Sequence, residues 1–153
     1  MAAMRIAEAM AAQGDVTLLG VAGRHAHVPS DPWSPTIPIG HLPVGGPLLY
    51  DLWLRRNWPK VERATGPIDV AHATTVIPCA TDAPLIVTVH DLAFLHDPSQ
   101  ITKRGNSIFR RSLDCIRERA DLGLWSRQAQ MDDCAAAGLR GARPRPRAVA
   151  AAA

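Results

Sequence analysis

Two histidines in this 153-residue chain stand at the ends of apolar runs: His72 follows Ile68-Asp69-Val70-Ala71, and His90 follows Leu85-Ile86-Val87-Thr88-Val89. An imidazole directly followed by a carboxylate, as in His90-Asp91, suits orienting a hydroxyl and taking its proton. On spacing alone, His72 reads more simply as a satisfied histidine near the surface, and Asp91 as a cap on the turn that follows it. His25, His27, His41 and His96 fall in loops or near turns, with no His-x-x-x-His or carboxylate spacing beside them, so no metal site is expected. Cys79, Cys115 and Cys134 are odd in number, widely spaced and without a Cys-x-x-Cys pair, which predicts reduced, incidental thiols and neither a disulfide framework nor a zinc site. The sequence contains no Gly-x-Gly-x-x-Gly and no Gly-x-x-x-x-Gly-Lys-[Ser/Thr], so neither a dinucleotide fingerprint nor a P-loop is present. A Gly-x-Ser-x-Gly elbow is also missing, and Ser126 is followed by Arg127-Gln128, which argues against a hydrolase nucleophile.

The elements that must position these residues alternate between strand and helix signals. An Ala-rich helix over 4–13 is stopped by Gly14, and Val16–Val21 reads as a short buried strand. Six prolines within 29–47 forbid regular structure there and predict a long loop, with at most a short extended piece at Thr36-Ile37-Pro38-Ile39. A helix over Leu48–Arg63 buries Leu49 and Trp53, turns Arg55, Arg56, Lys60 and Arg63 outward, and is kinked or divided at Pro59. Strands follow at Ile68–Ala73 and Leu85–Asp91; the second ends abruptly in a polar pair, as a buried parallel strand does where it opens onto a crevice. In Lys103–Ala120, Phe109, Leu113, Ile116 and Ala120 recur on one helical face, and Arg110, Arg111, Arg117 and Arg119 read as the solvated side. Leu122–Ser126 is a last strand, and Gln128–Ala137 a last helix stopped by Gly138. The alternation predicts an α/β fold, a Rossmann-like parallel sheet with helices on both faces.

Charge placement excludes one partner class. Although the net charge is +3, residues 139–153 hold four arginines and no acid, and the other 138 residues carry 13 basic and 14 acidic side chains. A nucleic-acid binder spreads its basic excess over a folded face, so none is expected. An apolar content of 47% with 20% charged residues places the chain among globular proteins. No run approaches the roughly 18 to 20 apolar residues that span a bilayer, and Arg5 and Glu8 interrupt the opening stretch, so it is no signal-peptide core. A cytoplasmic protein is expected, at most peripheral to a membrane.

Four segments together resemble a known family: Ile68-Asp69-Val70-Ala71-His72-Ala73, Ala83–Leu92 with its Thr88-Val89-His90-Asp91, Phe109-Arg110-Arg111-Ser112-Leu113, and Ala120–Ser126. In that order they look like the amino-terminal domain of family 4 (group 1) glycosyltransferases, and Ala9–Leu18 resembles the family's first helix and second strand, so the likeness covers about residues 4–138. It implies one half of the two-domain GT-B architecture and retaining transfer of a hexosyl group. A nucleotide sugar would be the donor, as a substrate and not a resident cofactor. By the same resemblance, His90 and Asp91 are the catalytic candidates at the cleft mouth and His72 and Thr88 contact a sugar or lipid-linked acceptor. The Pro-rich loop 29–47 covers the acceptor, and no metal is implied.

The sequence also departs from that family. The family's first strand and Gly-rich loop have no counterpart, nor has the donor-binding domain with its paired glutamates and diphosphate-holding basic residues. After Gly138 the likeness stops, and 139–153 reads as a disordered Arg/Pro/Ala tail, as a frame change in a GC-rich gene would produce. The expectation is therefore an amino-terminal glycosyltransferase fragment, inactive alone and able to bind a nucleotide sugar only with a donor domain. A non-catalytic binding module, half of a split enzyme completed in trans, and a degraded gene product are the alternatives.

Overall fold

The computed structural model describes residues 2–25, 36–125 and 133–139, the side chains of 2–5 excepted. Its elements run α1 (Ala2–Gln13), β1 (Gly20–Ala22), β2 (Ile39–His41), α2 (Gly46–Arg56), α3 (Glu62–Thr65), β3 (Ala71–Ala73), β4 (Leu85–Val89), α4 (Ala93–His96), α5 (Lys103–Arg119) and β5 (Leu122–Trp125). A 3-10 turn at Pro98–Gln100 links α4 to α5, and 133–136 is again helical. The fold is α/β, and every pairing is parallel: β1 with β2, and β3 with β4 with β5. Instead of one sheet, the described residues form two, of two and three strands.

β4 organises the larger sheet. Its alternation sends Leu85, Val87 and Val89 to one face, where they are 3%, 0% and 0% exposed, and Ile86 and Thr88 to the other. Ala71 and Ala73 of β3 join the buried face, and Leu113 and Ile116 of α5, with Val61, Leu92, Phe94, Cys134 and Leu139, close over it. The opposite face carries His72, Ile86, Thr88, Leu122 and Leu124, of which His72 and Leu124 are exposed. Asp121 fixes where β4 and β5 begin: its N–H donates to the Leu85 carbonyl, and its carboxylate accepts from the Leu85 N–H, both at 2.9 Å.

Several boundaries move relative to the sequence expectation, each for a local reason. Val16–Leu19 precede the first pairing, Gly20 with Ile39, so β1 begins at Gly20; Val16 and Leu19 are 46% and 45% exposed and the strand is only half-buried. The extended piece inside the Pro-rich loop becomes β2, displaced to Ile39–His41, while residues 26–35 of that loop lie outside the described residues. The expected Leu48–Arg63 helix starts at Gly46, with Pro47 in its first turn where a missing N–H costs nothing, and ends at Arg56. Asn57 then adopts a left-handed φ of 48°, the Trp58–Pro59 bond is cis, and the short α3 follows, so Pro59 divides the helix. Pairing with β4 begins only at Ala71, so Ile68–Val70 stay outside β3. The last helix is seen at 133–136 and turns off at Gly138 with φ 68°; 126–132 and 140–153 lie outside the described residues, though Leu139 is 4% exposed and belongs to the core.

Two glycines permit close backbone approach. A Cβ at Gly45 would stand 1.8 Å from the Arg24 carbonyl oxygen, and one at Gly40 would stand 2.6 Å from the Ala64 carbonyl oxygen. These contacts let the loops after β1 and β2 touch and let α3 lie on β2.

The arginines of α5 are not a uniform solvated face, contrary to the sequence expectation. Arg119 is half-buried: its Nη1 donates to the Trp53 carbonyl and to Asn57 Oδ1, both at 3.0 Å, and its Nη2 donates to the Cys79 carbonyl at 3.1 Å. Arg111 and Arg104 both reach the Asp51 carboxylate. A flat guanidinium can serve acceptors from three separate segments at once, which an outward pattern in the sequence does not reveal. Replacing Arg119 by Met, which keeps the apolar stem, should cost about 2–3 kcal/mol because two carbonyls and an amide lose a charged donor. Arg119→Lys should recover only part of that loss. Urea unfolding measures both, and a midpoint for Arg119→Met equal to that of the parent protein would contradict the clasp.

Candidate functional site

The candidate residues sit at and just beyond the carboxyl ends of β3 and β4. β3 and β4 are in register Ala71 to Leu85, His72 to Ile86 and Ala73 to Val87, which places His72 and Thr88 on one sheet face, a diagonal step apart. His72 Nε2 and Thr88 Oγ1 are 2.7 Å apart. Beyond the strand ends, His90 Nε2 lies 2.8 Å from the Thr74 carbonyl oxygen. A carbonyl only accepts, so Nε2 carries the proton in this contact and Nδ1 is the basic nitrogen of the neutral ring. The two bonds tie each strand end to the other, His72 reaching from β3 to β4 and His90 from β4 back to the segment after β3.

Asp91 does not extend this pair directly. Its Oδ1 accepts from the Ala93 N–H at 3.2 Å, so the carboxylate caps the turn into α4. His90 and Asp91 both face solvent. Three of the four candidates are thus held by two separate hydrogen bonds, His72 with Thr88 and His90 with the Thr74 carbonyl, and Asp91 caps the turn immediately after His90.

Partial burial holds the His72 ring below the usual histidine pKa of 6.5, so it is neutral at pH 7. The cysteines are poor nucleophiles here. Burial pushes the Cys79 thiol up to about 11, the nearby Arg119 charge opposing this only in part, and burial likewise raises Cys115 and Cys134. All three are buried free thiols.

Sequence reasoning missed Thr74, whose contribution is a main-chain carbonyl and so leaves no side-chain signal. It also set aside His25 and His41, which the fold brings together: their rings are 5.0 Å apart, edge to face, at the carboxyl ends of β1 and β2. His25 Nδ1 further contacts the Gly23 carbonyl at 2.9 Å. His96 pairs with Asp133 at 2.9 Å, away from this group in the chain, and His27 lies outside the described residues. Among the described residues no group of three metal-binding side chains occurs, and no helix is long and apolar enough to cross a membrane.

Two shallow depressions, of about 550 and 610 Å³, lie elsewhere. One runs along α5 past Ile101, Lys103, Ser107 and Arg110; the other is at the amino ends of β3 and β4, past Glu62, Asp69, Asp82 and Pro84. In the second, Glu62 accepts from the Thr81 hydroxyl and the Asp82 and Ala83 N–H groups. Burial works to raise its pKa, but these donors outweigh it and leave the carboxyl below the usual value. Neither depression includes His72, Thr88, His90 or Asp91. No protein-family model, curated protein or solved structure gives a significant match to this chain.

The lowered pKa of His72 has a signed consequence for stability. Between the folded-state pKa and the unfolded value of about 6.5, the unfolded chain binds the extra proton, so unfolding free energy rises with pH in that window and levels off above it. The penalty is full below the folded-state pKa. His72→Gln should remove this contribution to the acid limb. Urea midpoints measured from about pH 5 to pH 8 compare the two proteins, and NMR titration should place the His72 midpoint below that of a free histidine; an acid limb identical in His72→Gln would contradict the assignment.

Proposed function

We propose that residues 4–138 are the acceptor-side, Rossmann-like half of a retaining, nucleotide-sugar-dependent glycosyltransferase of the family 4 type. The observation that carries this reading is the pair of tethers across the carboxyl ends of two adjacent parallel strands, His72 to Thr88 and His90 to the Thr74 carbonyl. Parallel α/β sheets gather ligand-binding groups at that end, and hydroxyl and imidazole groups there suit a polyhydroxylated acceptor.

In this reading the acceptor is a sugar or lipid-linked sugar. His72 and Thr88 hold its hydroxyls as neutral hydrogen-bonding groups, which suits the lowered pKa of His72. His90, held to the Thr74 carbonyl, stands at the reacting hydroxyl and takes up its proton as the new glycosidic bond forms. Asp91 acts as a positioning residue: it fixes the turn that follows His90 through the Ala93 N–H. The donor is a nucleotide sugar, a substrate held by a separate donor-binding surface. His72, His90 and Asp91 all face solvent. Transfer needs water excluded and the departing diphosphate stabilised, so turnover depends on that second surface closing over this one. The reading carries a cytoplasmic location with it, membrane contact arising only through a lipid-linked acceptor.

A binding module without turnover is the second reading, favoured by the free strand edges of β1 and β3 among the described residues.

Transfer assays with a panel of nucleotide sugars and acceptor glycosides separate the two. The isolated 153-residue chain is expected to give no transfer, while acceptor glycosides shift the NMR signals of His72 and His90. Addition of a donor-binding domain should yield product, and His90→Ala should then lower the rate by about a hundredfold or more with the fold intact by circular dichroism. Robust transfer by the chain alone, or an unaltered rate in His90→Ala, overturns the assignment.

A further inference from the structure

We propose that His25 and His41 form a two-histidine site for a divalent transition-metal ion of the kind imidazole prefers: nickel, copper or zinc. The two residues stand 16 positions apart in the sequence, so no local spacing announces them. The parallel pairing of β1 with β2 brings them together. Register sets Ala22 opposite His41, and His25 follows three residues after Ala22, at the same carboxyl end. Main-chain bonds clamp the approach on both sides: the Leu42 N–H donates to the Ala22 carbonyl at 2.9 Å, and the Arg24 N–H donates to the Val44 carbonyl at 3.1 Å. Gly45, with no side chain, lets the loop after β2 lie against Arg24. Leu42 is 1% exposed, so the backbone directly after His41 is anchored in packed structure. The juxtaposition is therefore built into the backbone before any ion arrives, which lowers the cost of binding one.

The geometry and the chemistry of the pair fit ligation. The ring centroids are 5.0 Å apart, with 63° between the planes. Two imidazoles that share one ion at the ordinary metal–nitrogen distance, at an angle between right and tetrahedral, place their centroids roughly 4.5–5.3 Å apart. His25 Nδ1 lies 2.9 Å from the Gly23 carbonyl, which only accepts, so Nδ1 carries the hydrogen and Nε2 keeps the lone pair. A ring N–H held in this way by a main-chain carbonyl is the usual support behind a metal-ligating histidine. His41 is exposed and its ring makes no hydrogen bond among the described residues, so it can turn about its terminal torsion to meet an ion held by His25. No other two imidazoles are in ring contact among the described residues. Two protein ligands leave the remaining coordination positions to water or to a donor atom of a bound ligand, and ligands gather at the carboxyl ends of parallel strands. The site is independent of the glycosyltransferase reading.

The test uses the full 153-residue chain with Zn²⁺ or Ni²⁺ alone. Calorimetric titration with Zn²⁺ is expected to show a tight step that either His25→Gln or His41→Gln weakens by about tenfold or more, because the second imidazole binds as an intramolecular ligand. His96→Gln should leave that step unchanged. In the unaltered chain, substoichiometric Ni²⁺ should broaden the imidazole NMR signals of His25 and His41 together, before those of His72, His90 and His96. Saturating Zn²⁺ should raise the urea midpoint, and the double variant should lose that response. Broadening at only one of the two rings, or first at His72, His90 or His96, overturns the proposal. A Zn²⁺ step that keeps its affinity in either single variant, or no binding at all, also overturns it, in favour of two rings that only pack against each other.

Discussion

β4 is hydrogen-bonded on both sides, to β3 and to β5, and its pleat buries Leu85, Val87 and Val89 almost completely. That one constraint determines the rest of the larger sheet. A strand whose alternate residues are locked into a core cannot slip by one position without exchanging its faces. Thr88 is consequently held on the face opposite the core, opposite the same face of β3, where His72 stands within hydrogen-bonding distance. The apolar run ends at Val89, and the chain emerges with His90 at the sheet's carboxyl end, next to the segment leaving β3. The candidate site is therefore a product of register: its members meet because β3 and β4 are aligned by the core beneath them.

The core beneath them depends in turn on how α5 is anchored. Leu113 and Ile116 supply apolar contact, but Arg119 supplies direction, since its guanidinium joins the end of α2, the turn after it and the strap around Cys79. A desolvated carbonyl without a donor is costly, so three acceptors converging on one cation constrain where the strap passes. Glu62 plays the matching part on the opposite charge, gathering the Thr81 hydroxyl and two main-chain N–H groups just before β4 begins. Half-buried charge here organises irregular segments, and the hydrophobic cluster organises the regular ones.

How much of this was legible in the sequence follows from whether the determinants are local. The β4 run, the period of Phe109, Leu113 and Ile116, and the break at Pro59 are local patterns, and α5 and β4 fall close to where those patterns place them. Thr88, His90 and His72 were readable as strand-end residues for the same reason. The Asp91 cap was one of two readings its position allowed, and the choice rests on a contact two residues away. By contrast, Arg119 satisfies carbonyls 40 to 66 positions distant, and Thr74 contributes through its main chain. The division into two sheets is also non-local: it depends on which edges find partners, and apolar periodicity describes faces, not edges.

Face and edge therefore carry different information about function in this molecule. The larger sheet commits one face to the core and leaves His72, Thr88 and Leu124 on the other, so its polar groups are accessible but not enclosed. An exposed hydrogen-bonded pair can select a hydroxylated ligand by geometry, yet in water each such contact competes with solvent and contributes little net energy. Charged transition states are stabilised far better in a water-excluded, low-dielectric site than at such an open face. Along the outer edges of β1, β2, β3 and β5, main-chain donors and acceptors likewise stand without ladder partners among the described residues. Edge and face are thus separate features of this fold: the first is a matter of main-chain groups along the strand borders, the second of side chains at the carboxyl ends of β3 and β4.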